Sequence, residues 1–189
     1  MRIMLPSRPV AAVLTAVLLL AAACSSDADP RAEDAPTTPT VAPRTPPPTV
    51  AAKVLASPQA KAVEAWAAAY ARAVNAGDHG FAGAADPSTP AVKEWMERHA
   101  GSEWGRYFPG PLPVAPVGVR PVDATHREVD ACAMVSGWTQ QSRSVRRTRS
   151  REVVGMTFHV TSSAGRWRVE RITSASIDCR GVVPRLRGW

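Results

Sequence analysis

The 189-residue chain is short of most of what a catalytic sequence displays. Its four histidines (His79, His99, His126, His159) are scattered, and no spacing sets one beside a carboxylate or a nucleophile. It has no glycine-rich phosphate loop, dinucleotide fingerprint or acidic metal loop. Cysteine is scarce: of the three in the chain, Cys132 and Cys179 have no histidine close by to complete a tetrahedral metal set. No cofactor and no metal is therefore implied. The longest apolar run, Val10 to Ala23, is 14 residues broken only by Thr15, whereas a spanning helix needs ~20. Aromatic residues are absent between positions 25 and 56, so that stretch cannot bury enough apolar surface to offset its ordering entropy.

What is present at the N-terminus is a basic start (Arg2, Arg8), the apolar run, and the string Leu20-Ala21-Ala22-Ala23-Cys24. This layout resembles a bacterial lipoprotein signal, in which the cysteine is acylated and becomes the first residue of the mature protein. The resemblance implies a signal peptide over 1–23, lipidation (a palmitate-type anchor) at Cys24, and a protein held on the extracytoplasmic face of the cell membrane. Such signals usually carry Leu three residues before the cysteine, where Ala21 stands here. Ordinary cleavage after Ala23 with a free Cys24, or an uncleaved anchor, stays open. Residues 24–56 then read as a disordered tether. Pro30, Pro36, Pro39, Pro43 and Pro46 to Pro48 favour extended polyproline II, with a reach on the order of 100 Å. O-mannosylation at the Thr-Pro sites is a further option.

Residues 57–189 form one domain, long enough for a proper core. Ser57 can cap a helix and Pro58 suits its first position. Ala62, Val63, Trp66, Ala69, Tyr70, Ala73 and Val74 recur at helical spacing, and Gly77 is placed to end the helix. Gly80 to Ser88 reads as loop or as a broken short helix. By the same cap logic a second helix starts at Thr89-Pro90, carries Val92, Trp95, Met96 and His99 on one face, and ends at Gly101. Pro109, Pro111, Pro113 and Pro116 predict a long loop over 102–116. The period then changes to two. A first strand runs from Val117 to Val122, with a turn at 123–125. A second points Val129, Ala131, Ala133 and Val135 inward, and a third, about 152–161, does so with Val154, Met156, Phe158 and Val160. A turn at 162–165 leads to a fourth strand with Trp167, Val169 and Ile172. Helices followed by consecutive hairpins predict an α+β fold, with the helices on one face of an antiparallel sheet.

The helix pattern Val63-x-x-Trp66-x-x-x-Tyr70 closing on Asn75-Ala-Gly77-Asp78, the meandering strands, and the last hairpin Gly165-Arg-Trp167-Arg-Val169-Glu-Arg-Ile172 resemble the NTF2-like (SnoaL-like) superfamily. The resemblance implies a curved sheet wrapped as a cone around a long helix, with a pocket at the open end, and a possible homodimer through the exposed sheet face. The superfamily holds isomerases, cyclases and non-catalytic binding modules, so fold does not decide function. Its enzymes often use an Asp or His inside the cone with a Tyr donor, for which Tyr70, Tyr107, Asp130 and His159 are the nominees here. The preference for Arg over Lys and the wealth of Ala, Pro and Trp resemble actinobacterial secreted proteins.

Outside the cytoplasm, an even pair of cysteines in a small domain reads as a disulfide, here Cys132–Cys179; two buried free thiols are the alternative. The net charge of +7 is concentrated in Arg143, Arg146, Arg147, Arg149 and Arg151. Lying between two strand signals, these read either as a basic hairpin for anionic lipid or wall polymer, or as a solvated tip with charged flanks. No aromatic residue interleaves them as a stacking platform, so nucleic acid is not an expected partner. Tyr70, Trp104, Tyr107 and His159 are the pocket candidates. The leading functional expectation is non-catalytic binding of a small apolar ligand or a partner protein at the cell envelope. The alternatives are an isomerase or cyclase-type enzyme, and a basic adaptor docking on membrane or wall.

Overall fold

A computed structural model of the chain describes residues 51–189 except Arg147. Cys24, the signal and the tether up to residue 50 lie outside the described residues, as does Arg147. The order of elements is α1 (Ala51–Leu55), α2 (Pro58–Ala76), two short 3₁₀ turns (Ala82–Ala84 and Pro90–Val92), α3 (Lys93–Ala100), then β1 (Val114–Pro121), β2 (His126–Ser136), β3 (Glu152–Ser163) and β4 (Arg166–Ser174). The four strands form one antiparallel sheet in the order β1-β2-β3-β4. The fold is α+β.

Helix α2 is delimited by its own chemistry. The Ser57 hydroxyl accepts the Ala60 amide, Pro58 occupies the first turn, and Gly77 turns left-handed at φ 64°. Amides of Gly77 and Asp78 bond the Val74 and Ala73 carbonyls, closing the helix with a Schellman motif. All seven apolar positions read from the spacing are buried. Trp66 contacts Phe158 of β3, ring centres 5.4 Å apart, so α2 lies on the inner sheet face. Helix α1 falls within the stretch assigned to the tether. Val54 is buried there, so the packed chain starts before Ser57.

Several local readings change. The second helix opens as a 3₁₀ turn, and the Thr89 side chain makes no capping bond. His99 is exposed, stacked on Trp95 at 3.7 Å. Strand β1 starts at Val114 and contains Pro116, within the segment predicted as loop. Proline is tolerated because β1 is an edge strand, and the register shifts between Pro116 and Gly118. A second irregularity between Met134 and Ser136 turns Val135 outward, while Met134 is buried. A third, opposite Glu170, lets Val169 and Ile172 both face the core at a spacing of three.

The chain after β4 crosses the outer sheet face. Gly155 makes room: a Cβ there would sit 2.5 Å from the Ala175 carbonyl oxygen. Cys132, paired in register with Gly155, is joined to Cys179 as the sequence suggests, with Cα atoms 5.7 Å apart. The last residues return to α2, where the Trp189 indole N–H donates to the Phe108 carbonyl and its ring lies under Arg72. On the opposite edge of the sheet, segment 87–89 lies along β4. Thr89 N–H donates to Val169 O at 2.8 Å, and Val169 N–H to Pro87 O at 2.9 Å.

Candidate functional site

The four pocket candidates are not brought together. Tyr70 is buried in an aromatic cluster, stacked between Trp66 (5.5 Å) and Phe81 (5.9 Å) and close to Trp95 and Phe108. Burial, and next the Glu103 carboxylate, raise the Tyr70 hydroxyl well above the usual tyrosine range, so it stays protonated. Trp104 packs on His79 at 4.1 Å and on Phe81. Tyr107 exchanges two backbone hydrogen bonds with Gln140, and Arg143 lies over its ring at 5.3 Å. His159 alternates with the inward Phe158 and Val160, and therefore stands on the outer sheet face. The space beneath the sheet, where the cone would hold its pocket, is filled by aromatic rings.

Two polar networks flank this core, and neither shows as a spacing in the sequence. On one side Glu103 accepts from Thr139 (3.1 Å) and from Arg149 (2.9 Å), and Arg106 donates to the Thr139 hydroxyl and carbonyl. Asn75 of α2 bonds both the amide and the carbonyl of Phe108 at 2.8 Å. These bonds fasten the 101–113 loop to α2 and to the β2–β3 connection. Of the arginines in that connection, Arg143, Arg146, Arg149 and Arg151 are exposed, with Arg149 paired to Glu103.

On the outer sheet face, Arg120 grips Asp130 through two bonds of 3.0 Å, and the Thr157 hydroxyl donates to the same carboxylate at 2.8 Å. Arg120 also meets Glu128 at 2.8 Å. His159 bonds Thr173 through Nε2 and Arg171 through Nδ1. An arginine can only donate, so Nδ1 accepts in that contact, and the Glu128 carboxylate lies 3.5 Å from the same nitrogen. Burial first, then the Arg171 charge, hold its pKa below the ordinary value. Asp130 is thus an ion-pair partner and His159 a structural hydrogen-bonding group. Neither faces Tyr70.

A third region differs. Beside β4, a cavity of about 320 Å³ is lined by Gly80, Phe81, Ala82, Ala84, Ala85, Ser88, Thr89, Pro90, Lys93, Met96 and Arg168. Ser88 is 4% exposed, and its hydroxyl has no partner among the described residues. The Thr89 hydroxyl and Arg168 Nε are likewise buried and unpartnered. A buried polar group left unpaired costs ~1–3 kcal/mol, but these three do not converge: Ser88 is in register with the inward Val169, whereas Arg168 pairs with Thr161 on the outer sheet face. The other buried side-chain polar atom without a partner among the described residues, Trp66 Nε1, lies within the aromatic cluster instead. Phe81 adds backbone strain, with a left-handed φ of 51° that an aromatic residue rarely adopts. By contrast, the larger depression of about 690 Å³ against Trp189 has Asn75 already bonded on both sides and Arg187 paired to Glu64.

Sequence reading passed over Ser88, Thr89 and Arg168. A lone Ser-Thr pair before a helix reads as a cap, and an arginine in a strand reads as solvated. The chain matches no protein-family model, and no curated protein matches it in sequence.

Proposed function

We propose that the protein is an extracytoplasmic lipoprotein, anchored through Cys24 and a proline-rich tether, whose NTF2-like domain is a non-catalytic binding module. The observation that carries the binding reading is the cavity beside β4, with its largely apolar wall. An isomerase or cyclase has less support. Tyr70 is locked in the core, and Asp130 and His159 are occupied on the far face of the sheet, so these nominees do not face one another across a cavity.

Native mass spectrometry of the chain purified from an exporting host tests the binding reading. A small molecule should remain bound, and Ala85→Trp, which adds a bulky ring at an exposed residue of the cavity lining, should release it. A ligand retained by Ala85→Trp, or a wild-type chain recovered empty, rejects the cavity as the site. For the anchor, Cys24→Ser should move the protein from the membrane fraction to the soluble one and abolish palmitate labelling. Retention in the membrane would reject lipidation.

A second reading, docking on anionic lipid or wall polymer, is supported by the exposure of Arg143, Arg146, Arg149 and Arg151. The Arg149–Glu103 pair offsets part of that charge. Salt-sensitive binding to phosphatidylglycerol vesicles that is lost when these arginines become glutamine would support it; binding indifferent to salt would not.

A further inference from the structure

We propose that the exposed side of α2 and the segment 185–189 laid along it form a docking surface for an anionic phospholipid membrane. The inference rests on the anchoring reading, which holds the domain within a tether's reach of a lipid surface. It uses a face separate from the arginine-rich β2–β3 connection. Lys61, Glu64, Ala65, Ala68, Arg72 and Ala76 recur every three or four residues or stand side by side, and so form one row along α2. Arg185 and Arg187 flank the start of that row and Trp189 its far end, around two adjoining depressions of about 280 and 690 Å³. Contacts hold this placement: Arg187 pairs with Glu64 at 3.2 Å, and Arg72 lies over the Trp189 ring at 4.8 Å.

The charge on this face is not neutralised. Lys61, Arg72 and Arg185 have no carboxylate partner among the described residues, and the one carboxylate lining the two depressions, Glu64, is taken by Arg187. Elsewhere the arginines are matched: Arg98 pairs with Glu94, Arg120 with Asp130, Arg166 with Asp86 and Arg180 with Asp178. The same segment exposes apolar groups. Of the seven large apolar side chains exposed among the described residues, Val183, Leu186 and Trp189 fall within seven consecutive positions. An indole 49% exposed beside basic side chains suits a headgroup layer, where the ring takes the boundary and the cations take the phosphates. A single small anion fits less well. Lys61 and Arg72 are 11 residues apart, about 16 Å along the helix, so one small ligand cannot meet both, whereas a sheet of headgroups can. A polyanionic wall polymer would meet the cations but leave Leu186 and Trp189 in water.

The test uses the full exported chain carrying Cys24→Ser, so that no acyl group can carry the binding, with vesicles of phosphatidylglycerol or of phosphatidylcholine. The apolar run 10–23 is common to every chain compared. Co-sedimentation should show phosphatidylglycerol bound about tenfold or more tightly than phosphatidylcholine, with the difference shrinking as salt rises. Lys61→Gln, Arg72→Gln and Arg185→Gln should each weaken binding about fivefold, the effect of one basic group at an anionic surface. All three side chains are exposed and outside any ion pair among the described residues, so the fold should be undisturbed. Leu186→Ser should also weaken binding about fivefold, and vesicles should broaden the Trp189 indole N–H signal, assigned by its loss in Trp189→Phe. Equal binding to the two lipids, or indifference to the three glutamine variants, overturns the inference. Loss only when Arg143, Arg146, Arg149 and Arg151 become glutamine moves docking to the other face and overturns it as well. Binding that ignores Leu186→Ser leaves charge alone at work, which fits a wall polymer and overturns the lipid assignment. None of these outcomes bears on acylation, which the palmitate labelling of Cys24 decides separately.

Discussion

The outer sheet face and the edge along β4 are both polar and partly buried, yet they are built on opposite terms. Across β1, β2 and β3 the outer-face donors meet acceptors: Arg120 and Thr157 converge on Asp130, and His159 sits between Arg171 and Thr173. Along the β4 edge the hydroxyls of Ser88 and Thr89 and the Nε of Arg168 are buried without a partner among the described residues. A satisfied network holds strands in register and has little left to offer a ligand. An unsatisfied one is costly to the fold on its own.

The contrast can be broken at its strongest point first. Replacing Cys132 and Cys179 together by alanine should lower unfolding stability by ~4 kcal/mol, given a separation of 47 residues, as read from denaturant midpoints without reductant. Any ligand retained in the cavity should survive that change, since the bridge lies over β2 and the cavity beside β4. Next, Asp130→Ala strips Arg120 and Thr157 of their acceptor. The loss should be ~2 kcal/mol, moderated because Arg120 keeps Glu128 and is 40% exposed. Ser88→Ala sharpens the comparison from the other side. Removing a hydroxyl that has no partner should leave the unliganded chain as stable as before, or more so by up to ~1 kcal/mol. A loss comparable to that of Asp130→Ala would mean that Ser88 is structural.

The smallest effect is one of pH. His159 has a folded pKa below its unfolded value, so the unfolded chain binds the proton more readily. Stability should therefore fall as pH drops below ~6.5, and the penalty should be complete once pH passes below the folded pKa. Thermal melts of His159→Gln should lose that slope. An unchanged slope would shift the cause to other groups.

Where local chemistry decided the structure, the sequence was legible. Ser57, Pro58 and Gly77 delimited α2 from capping rules alone, and the alternation from Val154 to Val160 gave β3 its inward face. Export context and an even cysteine pair led to the Cys132–Cys179 bridge. The misreadings share one cause, which is that strand position and register belong to the sheet. Pro116 was read as a breaker because nothing local says that β1 is an edge. Val135 was misplaced because one irregular residue inverts a strand's facing. The cavity was illegible for the same reason. Ser88 and Arg168 become neighbours only when a connecting segment lies along β4, and neither carries a spacing that would announce it.

That segment has a consequence for how many copies of the protein can share a surface. An open four-stranded sheet has two exposed backbone edges, each a template for pairing with another chain. Here β1 is blunted by Pro116, Pro121 and its shifted register, and β4 is covered by residues 87–89. Molecules crowded side by side would find neither edge open for strand addition. Because the cover on β4 also forms part of the wall of the cavity, a ligand that holds residues 88–90 against β4 would also guard the chain against aggregation. Occupancy of the site should then be readable as colloidal stability in a concentrated sample.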